Sequence, residues 1–146
     1  MNRLIKGAWV VVADEDKALF LKNGGDAAVP VFEVVERLET ADLLAVEDRS
    51  GRRKDHQQRE TVEPPDYHRM AGATLAQAVA SQLLKSHQAG AFTRLVLVAP
   101  PQVLGALRAA LDGALDAVTV AELAKTLTKH PLPKMAEIIR DDLAAL

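Results

Sequence analysis

Carboxylates are the first side chains in this 146-residue chain that could do chemistry. The run Asp14–Asp16 (Asp-Glu-Asp) could hold a divalent cation, because carboxylate oxygens suit Mg²⁺ and Mn²⁺. A metal-dependent nuclease, however, needs carboxylates that converge from several elements. The other acids near apolar runs are Glu33, Glu36 and Asp116, and their spacing shows no such convergence. We therefore interpret Asp14–Asp16 as a solvated hairpin turn and keep a metal-dependent nuclease as an alternative.

Histidine, serine and glycine patterns give no clearer catalytic signal. His56 and His68 flank a polar stretch and could bind a metal or act as a general base, but no His-x-x-x-His spacing occurs. His87 and His130 lie near predicted helix ends, where a cation is favoured in any case. The sequence has no Gly-x-Ser-x-Gly, Gly-x-Gly-x-x-Gly or Gly-Lys-Ser/Thr motif. We therefore assign no catalytic residue, no metal ligand and no cofactor.

A cluster of cations between residues 47 and 60 is the best candidate for a binding surface. Such a segment could contact RNA phosphates, and a disordered basic arm can fold on binding. Interspersed acids nearly cancel its charge, and Tyr67 is the only aromatic side chain nearby that could stack on a base. The alternative is a mixed-charge mobile loop without a ligand. The candidate binding residues are Arg49, Arg52, Arg53, Lys54 and Arg59.

The composition limits the class of protein. Hydrophobic residues make up 49% of the chain and aromatic residues only 3%, so we expect a core of Val, Leu, Ala and Ile. The formal net charge of −2 argues against a strongly basic surface but leaves a local basic patch open. The absence of cysteine excludes disulfides and thiolate metal sites and suits a reducing cytoplasm. We see neither a signal peptide nor an apolar run near the ~20 residues that cross a bilayer, and we expect a cytoplasmic protein without a membrane partner.

The elements that would position these side chains are organised around residues 93–108. Leu95–Ala99 is an unbroken apolar run, which is typical of a strand covered on both faces. Two prolines end that strand, and Pro101 suits the first turn of an amphipathic helix. In this helix we expect Gly105 to permit close approach to the sheet and Arg108 to cap or pair at the surface.

Weaker patterns predict the remaining elements. Three N-terminal strands form an antiparallel meander, with Trp9 in the core and the third strand charged enough to be an exposed edge. A long mobile loop over about 40–70, with one short helical turn near its start, precedes a helix capped by Gly90. The motif Thr119–Glu122 matches a capping box. The predicted strands are Ala8–Ala13, Lys17–Lys22, Val31–Leu38, Leu95–Ala99 and Ala114–Val120, and the helices are Gly72–Ala89, one from Pro101, one from Thr119 to about Leu127, and one at the C-terminus.

This order of elements predicts an α/β fold in a single domain over residues 1–146. The domain has a mixed β-sheet with an N-terminal antiparallel meander and with helices packed on the sheet. The exposed third strand leaves homodimerisation by sheet extension open.

Three stretches resemble known families. Ala-Trp-Val-Val-Val-Ala-Asp-Glu-Asp-Lys-Ala-Leu-Phe (8–20) resembles the opening hairpin of the middle domain of archaeal and eukaryotic class-I release factors and Pelota. Leu-Val-Leu-Val-Ala-Pro-Pro-Gln-Val-Leu-Gly-Ala-Leu-Arg (95–108) and Ala-Glu-Leu-Ala-Lys-Thr-Leu-Thr-Lys-His-Pro (121–131) resemble the bacterial host attachment proteins, which are grouped with bacterial release-factor homologues. The resemblance covers nearly the whole chain and implies a ribonuclease-H-like fold, similar to the release-factor middle domain.

The resemblance implies binding rather than peptide release. In release factors, a Gly-Gly-Gln loop between the third strand and the long helix enters the peptidyl-transferase centre. The corresponding interval, Thr40–Met70, has no Gly-Gly-Gln, and Gly24-Gly25 lies in another loop and is followed by Asp26. The first hypothesis is a non-enzymatic host-attachment-family protein whose loop at about 46–64 binds an unknown protein partner. The alternative is a ribosome- or tRNA-associated translation factor that uses the same loop.

Overall fold

The computed structural model describes residues 4–43 and 64–146, and it describes side chains in the second range from residue 74 onward. A helical turn begins at Thr40 and continues through Leu43, close to where a short turn is predicted. The strands of the described residues are β1 (Trp9–Ala13), β2 (Lys17–Asn23), β3 (Phe32–Glu39), β4 (Leu95–Ala99) and β5 (Thr119–Ala124). The helices are α1 (Pro64–Gln88), α2 (Pro101–Leu111) and α3 (Leu132–Ala144).

The five strands form one mixed sheet in the order β3-β2-β1-β4-β5. β2 pairs antiparallel with both β1 and β3, which gives the predicted meander. β4 and β5 run parallel to β1 and extend the sheet on its other side. The amino ends of these three parallel strands lie at one edge of the sheet, the amino edge, and their carboxyl ends lie at the opposite carboxyl edge. The predicted α/β class, a mixed sheet with an antiparallel meander and packed helices, is confirmed.

Helices cover both faces of the sheet, which explains the uninterrupted apolar sequences of β1 and β4. Successive side chains of a strand point to opposite faces. Trp9 and Val11 pack with residues of α1 and α2, whereas Val10 and Val12 pack with residues of α3. All five residues of β1 and all five of β4 are buried, including Trp9 as predicted.

Helix α1 begins at Pro64, well before the predicted start at Gly72. The pair Pro64-Pro65 lies in the first turn of the helix, where a missing N–H costs no hydrogen bond. The loop predicted over 40–70 is therefore helical at both ends. No helix of the described residues is long and apolar enough to cross a membrane.

Gly90 caps α1 as predicted. Its φ of +81° places it in the left-handed region, which glycine adopts without steric cost. The Gly90 N–H donates to the His87 carbonyl (2.9 Å), and the Ala91 N–H donates to the Ser86 carbonyl (3.0 Å). These two bonds form a Schellman cap, which satisfies the last carbonyls of the helix.

The predicted helix from Thr119 to about Leu127 is wrong, because residues 119–124 form β5. The Thr119 hydroxyl donates to the Leu115 carbonyl (2.8 Å) and caps no helix. Turns replace most of the predicted strand Ala114–Val120. The physical reason is a tertiary contact. β4 pairs with β1 on one side only, and residues 119–124 supply hydrogen-bond partners for the backbone groups on its other side by parallel pairing.

Contrary to the prediction from the sequence, Gly105 is not the residue that permits close approach of α2 to the sheet. It lies on the exposed side of α2, and a Cβ added there would meet nothing within 4 Å. The side chains that face the sheet are instead Val103, Leu104, Leu107 and Leu111.

Strand β3 is an edge strand, as its charged sequence predicts. Its ladder with β2 skips Val35, since Phe20 lies opposite Glu36 and Leu21 lies opposite Val34. Val34 and Val35 are each 44% exposed. Such a bulge strengthens the local twist and disfavours pairing with another chain. Homodimerisation by sheet extension stays a prediction and would have to accommodate this bulge.

Candidate functional site

The predicted basic cluster, Arg49 to Arg59, lies outside the described residues. The chain enters this interval at the carboxyl edge of the sheet, where the backbone N–H of Thr40 donates to the Asp16 carbonyl (2.7 Å). The Thr40 hydroxyl donates to the Glu15 carbonyl (2.9 Å). These contacts fix the start of the interval against the β1–β2 turn.

Asp14 has a structural role in that turn. Its Oδ1 accepts hydrogen bonds from the backbone N–H groups of Asp16 (2.7 Å) and Lys17 (2.9 Å). Its Oδ2 accepts a hydrogen bond from the hydroxyl of Thr128 (2.5 Å). Both carboxylate oxygens are therefore engaged with the protein, and Asp14 links the β1–β2 turn to the connection between β5 and α3. Asp14–Asp16 forms a hairpin turn, as interpreted from the sequence.

The carboxylates required by the nuclease alternative do not converge. Asp14 follows the carboxyl end of β1, whereas Asp116 precedes the amino end of β5. These two positions lie at opposite edges of the sheet, and a strand of five residues spans about 17 Å. Glu33 and Glu36 are exposed on the edge strand β3. Among the described residues, no group of three histidine or acidic side chains could hold a metal ion.

Arg108 pairs at the surface of α2, which is one of its two expected roles. Its Nε and Nη2 both donate to Oε1 of Glu122 on β5, each at 2.6 Å. This pair borders a cavity of about 190 Å³ whose floor includes Leu97 and Leu111 and whose wall includes Asp116. The pair joins α2 to the edge strand β5 above an apolar floor.

Four exposed cations from separate segments lie at or near the amino edge of the sheet, and we call them the basic edge: Lys6, Lys22, Lys85 and Arg94. Backbone hydrogen bonds and strand register place their segments there. Lys22 lies directly opposite Trp9 in the β1–β2 ladder, and the Arg94 carbonyl accepts the Trp9 N–H (2.9 Å). Gly7, which follows Lys6, donates its N–H to the Asn23 carbonyl (2.7 Å).

An aromatic cluster lies next to the basic edge, on the sheet face that α1 covers. The Trp9 ring lies 4.9 Å from Phe92 and 6.3 Å from Phe20, measured between ring centroids. The half-buried ring of His87 lies 5.4 Å from Phe92 and connects the cluster to the last turn of α1, which contains Lys85. The cluster thus links β1 and β2 to the end of α1, two residues after Lys85. Among the described residues, the Trp9 indole Nε1 is the buried side-chain polar atom that has no hydrogen-bond partner.

Acids flank the basic edge on both sides: Asp26 and Glu33 in and after the β2–β3 loop, and Asp112 and Asp116 before β5. Glu33 lies opposite Lys22 in the β2–β3 ladder, and the Glu33 carboxylate lies close to Gly24. Asp26 uses its Oδ1 to accept the Val29 N–H (2.7 Å). The acids of the carboxyl edge form a much denser group at the opposite end of the sheet: Asp14, Glu15, Asp16, Glu39 and Asp42.

The sequence analysis missed the basic edge because its members are far apart in the chain. Lys6 and Arg94 each belong to a segment with no local charge cluster. One signal was present in the sequence: residues 67–111 contain no Asp or Glu, although they include Lys85, Arg94 and Arg108. A search for acid-free stretches would have found part of this surface.

Gly24-Gly25 belongs to a tight loop between β2 and β3 at the amino edge. A Cβ added to Gly25 would lie 2.2 Å from the Val29 carbonyl oxygen, so only glycine fits there. The buried Asn23 side chain organises the loop through its Oδ1, which accepts the N–H groups of Gly25 (2.9 Å) and Val31 (3.0 Å). This glycine pair is a structural turn.

The fold and these side chains define a small mixed-sheet α/β protein with charged side chains at both edges of its sheet. The model of the bacterial archaeo-eukaryotic release factor family 12 matches residues 7–139, so the chain belongs to this family. No curated protein matches the chain. The release-factor part of the resemblance is therefore confirmed, while no comparison supports the host-attachment part. The ribonuclease-H-like assignment stays a prediction.

Proposed function

We propose that this chain is a ribosome- or tRNA-associated binding protein that does not release peptides through a Gly-Gly-Gln loop. The observation that carries the proposal is the release-factor family match over residues 7–139 in a sequence without Gly-Gly-Gln. This choice favours the translation-linked alternative over the host-attachment hypothesis, because only the former has support from a family match.

The fold supports a binding role more directly than a hydrolytic one. Asp14 is the most buried acid of the β1–β2 turn. Both of its carboxylate oxygens already accept hydrogen bonds, from two backbone N–H groups of the turn and from the Thr128 hydroxyl. Asp116 lies at the other edge of the sheet. A protein that binds without cleaving needs charged surface on a rigid frame, and the basic edge on its aromatic cluster provides such a surface.

The predicted loop cluster, Arg49, Arg52, Arg53, Lys54 and Arg59, is proposed as a contact with RNA. The contact would be electrostatic, since each cation that neutralises a phosphate releases counterions. Association should therefore weaken steeply as the salt concentration rises. An unknown protein partner for the same loop stays open.

Co-sedimentation with ribosomes tests the proposed function. Purified full-length chain is mixed with ribosomes, or with ribosomes carrying peptidyl-tRNA, and pelleted between about 50 and 200 mM KCl. We expect the chain in the pellet at low salt and in the supernatant at high salt, with the nascent peptide still attached to its tRNA. Absence from the pellet at every salt concentration would refute the association. Release of the peptide by the chain alone would refute the binding-only role.

A loop variant locates the contribution of the predicted cluster. Arg52→Gln, Arg53→Gln and Lys54→Gln together remove three positive charges from residues 52–54. We expect this variant to leave the pellet at lower salt than the unmodified chain. A matched control is the variant Lys125→Gln, Lys129→Gln and Lys134→Gln, which removes the same charge from the connection between β5 and α3 and from α3. Equal losses in the two variants would argue against a specific role for the loop.

A further inference from the structure

We propose that the basic edge binds the phosphate backbone of RNA, at the end of the sheet opposite the end of β3. The choice of RNA over other polyanions rests on the proposed function, whereas the surface itself is defined by the described residues alone. It is a second RNA contact that sequence patterns do not reveal, since Lys6, Lys22, Lys85 and Arg94 come from four segments.

The spacing of the cations follows from the sheet. Trp9 lies opposite Lys22 on one side and opposite Leu95, the neighbour of Arg94, on the other. Since neighbouring strands lie about 4.8 Å apart, the backbones that carry these two cations are separated by roughly 10 Å. Lys6 joins them through the Gly7–Asn23 hydrogen bond (2.7 Å). Because side chains alternate along a strand, Lys22 shares the sheet face of Trp9 and Leu95, whereas Arg94 belongs to the other face. The cations therefore flank the amino edge on both faces, where a nucleic-acid backbone crossing the edge can contact them.

These cations are available for a ligand. All four are exposed, and none has an ion pair among the described residues, in contrast to Arg108, Lys125, Lys134 and Arg140, which each pair with an acid. Unpaired cations that repel one another on a folded surface stabilise nothing by themselves, so their concentration here favours an anionic partner. Glu33, beside Lys22, is the acid nearest to them in the strand register.

The distribution of charge over the sheet favours docking in one orientation. The carboxyl edge carries the dense acidic group of the β1–β2 turn and of the end of β3, which repels phosphate. The basic edge lies at the other end, where its cations, unpaired among the described residues, stand between the acids of the β2–β3 loop and those before β5. Such a separation steers a polyanion to one end of the protein before contact is made.

The aromatic cluster makes the contact measurable. Trp9 is the only tryptophan of the chain, and it lies beneath the basic edge in contact with Phe92. An RNA strand bound to Lys22 and Arg94 would change the electrostatic field at the buried indole of Trp9. Its fluorescence therefore reports on this surface.

The test is a fluorescence and anisotropy titration of the full-length chain with a short labelled oligouridine over a range of KCl concentrations. The edge variant combines Lys22→Gln, Lys85→Gln and Arg94→Gln. The control variant combines Lys129→Gln, Lys134→Gln and Arg140→Gln, which removes the same charge from the side of the molecule that carries α3. Circular dichroism melting shows that both variants fold.

For the edge variant we expect the slope of log affinity against log salt to fall by about 2, because each phosphate contact to a single strand contributes about 0.7. We also expect the change of Trp9 fluorescence to disappear. For the control variant we expect both signals to persist. Equal weakening in the two variants, or no weakening in the edge variant, would overturn the proposal. So would binding to vesicles of anionic lipid or to an acidic peptide without binding to oligouridine.

The outcomes separate this inference from the proposed function. If the edge variant still sediments with ribosomes as the unmodified chain does and still binds oligouridine, the basic edge is not a contact, while association with ribosomes stands. If the unmodified chain binds oligouridine through the edge but never sediments with ribosomes, the edge is an RNA contact and the proposed function fails.

Discussion

At the scale of single residues, Asn23 shows how one buried amide holds a loop and a chain terminus together. Its Nδ2 donates to the Leu4 carbonyl (2.8 Å), and its Oδ1 accepts the N–H groups of Gly25 and Val31. Asn23 itself is fully buried. The amide therefore joins the N-terminal segment to both ends of the β2–β3 loop, and water cannot replace it.

Substitution of Asn23 should be among the most destabilising polar changes in the chain. Asn23→Ala leaves buried donors and acceptors without partners, at about 1–3 kcal/mol for each such group, so we expect a loss of about 2–4 kcal/mol in the free energy of unfolding. Urea denaturation followed by Trp9 fluorescence measures the loss. The exposed Gln77 on α1 provides a control, Gln77→Ala, that should change stability by less than about 0.5 kcal/mol. A loss below about 1 kcal/mol for Asn23→Ala would contradict the assigned role.

Two glycines give opposite predictions from their surroundings. Gly105 is helical, exposed and free of close neighbours, so Gly105→Ala should stabilise the protein by about 0.5–1 kcal/mol. Gly90 has a φ of +81°, so Gly90→Ala should destabilise it by roughly 1–2 kcal/mol. Thermal melting of the two variants beside the unmodified chain provides the comparison. If both substitutions raised the melting temperature, or both lowered it, backbone conformation would not determine stability at these two positions.

The sequence contained the information to place Gly105 but not Asn23. The apolar residues Val103, Leu104, Leu107 and Leu111 define the buried stripe of α2, and Gly105 falls outside that stripe, so its exposure was predictable. Asn23, in contrast, has the sequence neighbourhood of an ordinary turn. Its burial depends on Leu4, a residue distant in sequence, and no local pattern encodes that contact.

At the scale of elements, the incorrect helix prediction for residues 119–124 also arises because a contact with a segment distant in sequence decides the structure. Local signals favour a helix after Thr119, but the open backbone of β4 is satisfied only if residues 119–124 pair with it. β1 and β4 were predictable because burial on both faces forces a continuous apolar sequence. β5 is an edge strand with mixed burial, so the same reasoning does not identify it.

The contact between Asp14 and Thr128 couples two connections at the carboxyl edge. The Thr128 side chain is buried, and its hydroxyl donates to a carboxylate that is half-buried. We expect Thr128→Val to cost about 1.5 kcal/mol, because the hydrogen bond is to a charged group. A double-mutant cycle with Asp14→Ala should give a coupling energy of about 1 kcal/mol in chemical denaturation. Additive effects of the two substitutions would show that the connections are independent.

At the scale of the whole molecule, the fold of the described residues places four unpaired cations at one edge of the sheet and five clustered acids at the other. A chain with a net charge of −2 gives no hint of this in its composition. The separation arises because antiparallel pairing brings the end of β2 to the amino end of β1, and the crossover through α1 brings Arg94 to the same edge. The sequence predicts the class of this topology, a mixed sheet with an N-terminal antiparallel meander. It does not predict the strand registers that place the four cations at one edge.

The same topology predicts that a release motif cannot be restored at the glycine pair of this chain. Asp26→Gln completes the order Gly-Gly-Gln at residues 24–26, but that loop lies at the amino edge, opposite the point where the chain enters the interval after β3. Gly25 is also held against the Val29 carbonyl and Asn23, so the loop cannot extend. We expect this variant to release no peptide from ribosomes carrying peptidyl-tRNA, and to lose about 1 kcal/mol of stability through the missing Asp26–Val29 hydrogen bond. A class-I release factor with an intact motif is the positive control. Peptide release by the variant would show that the motif acts independently of its position on the sheet, and that the absence of Gly-Gly-Gln alone accounts for the binding-only role.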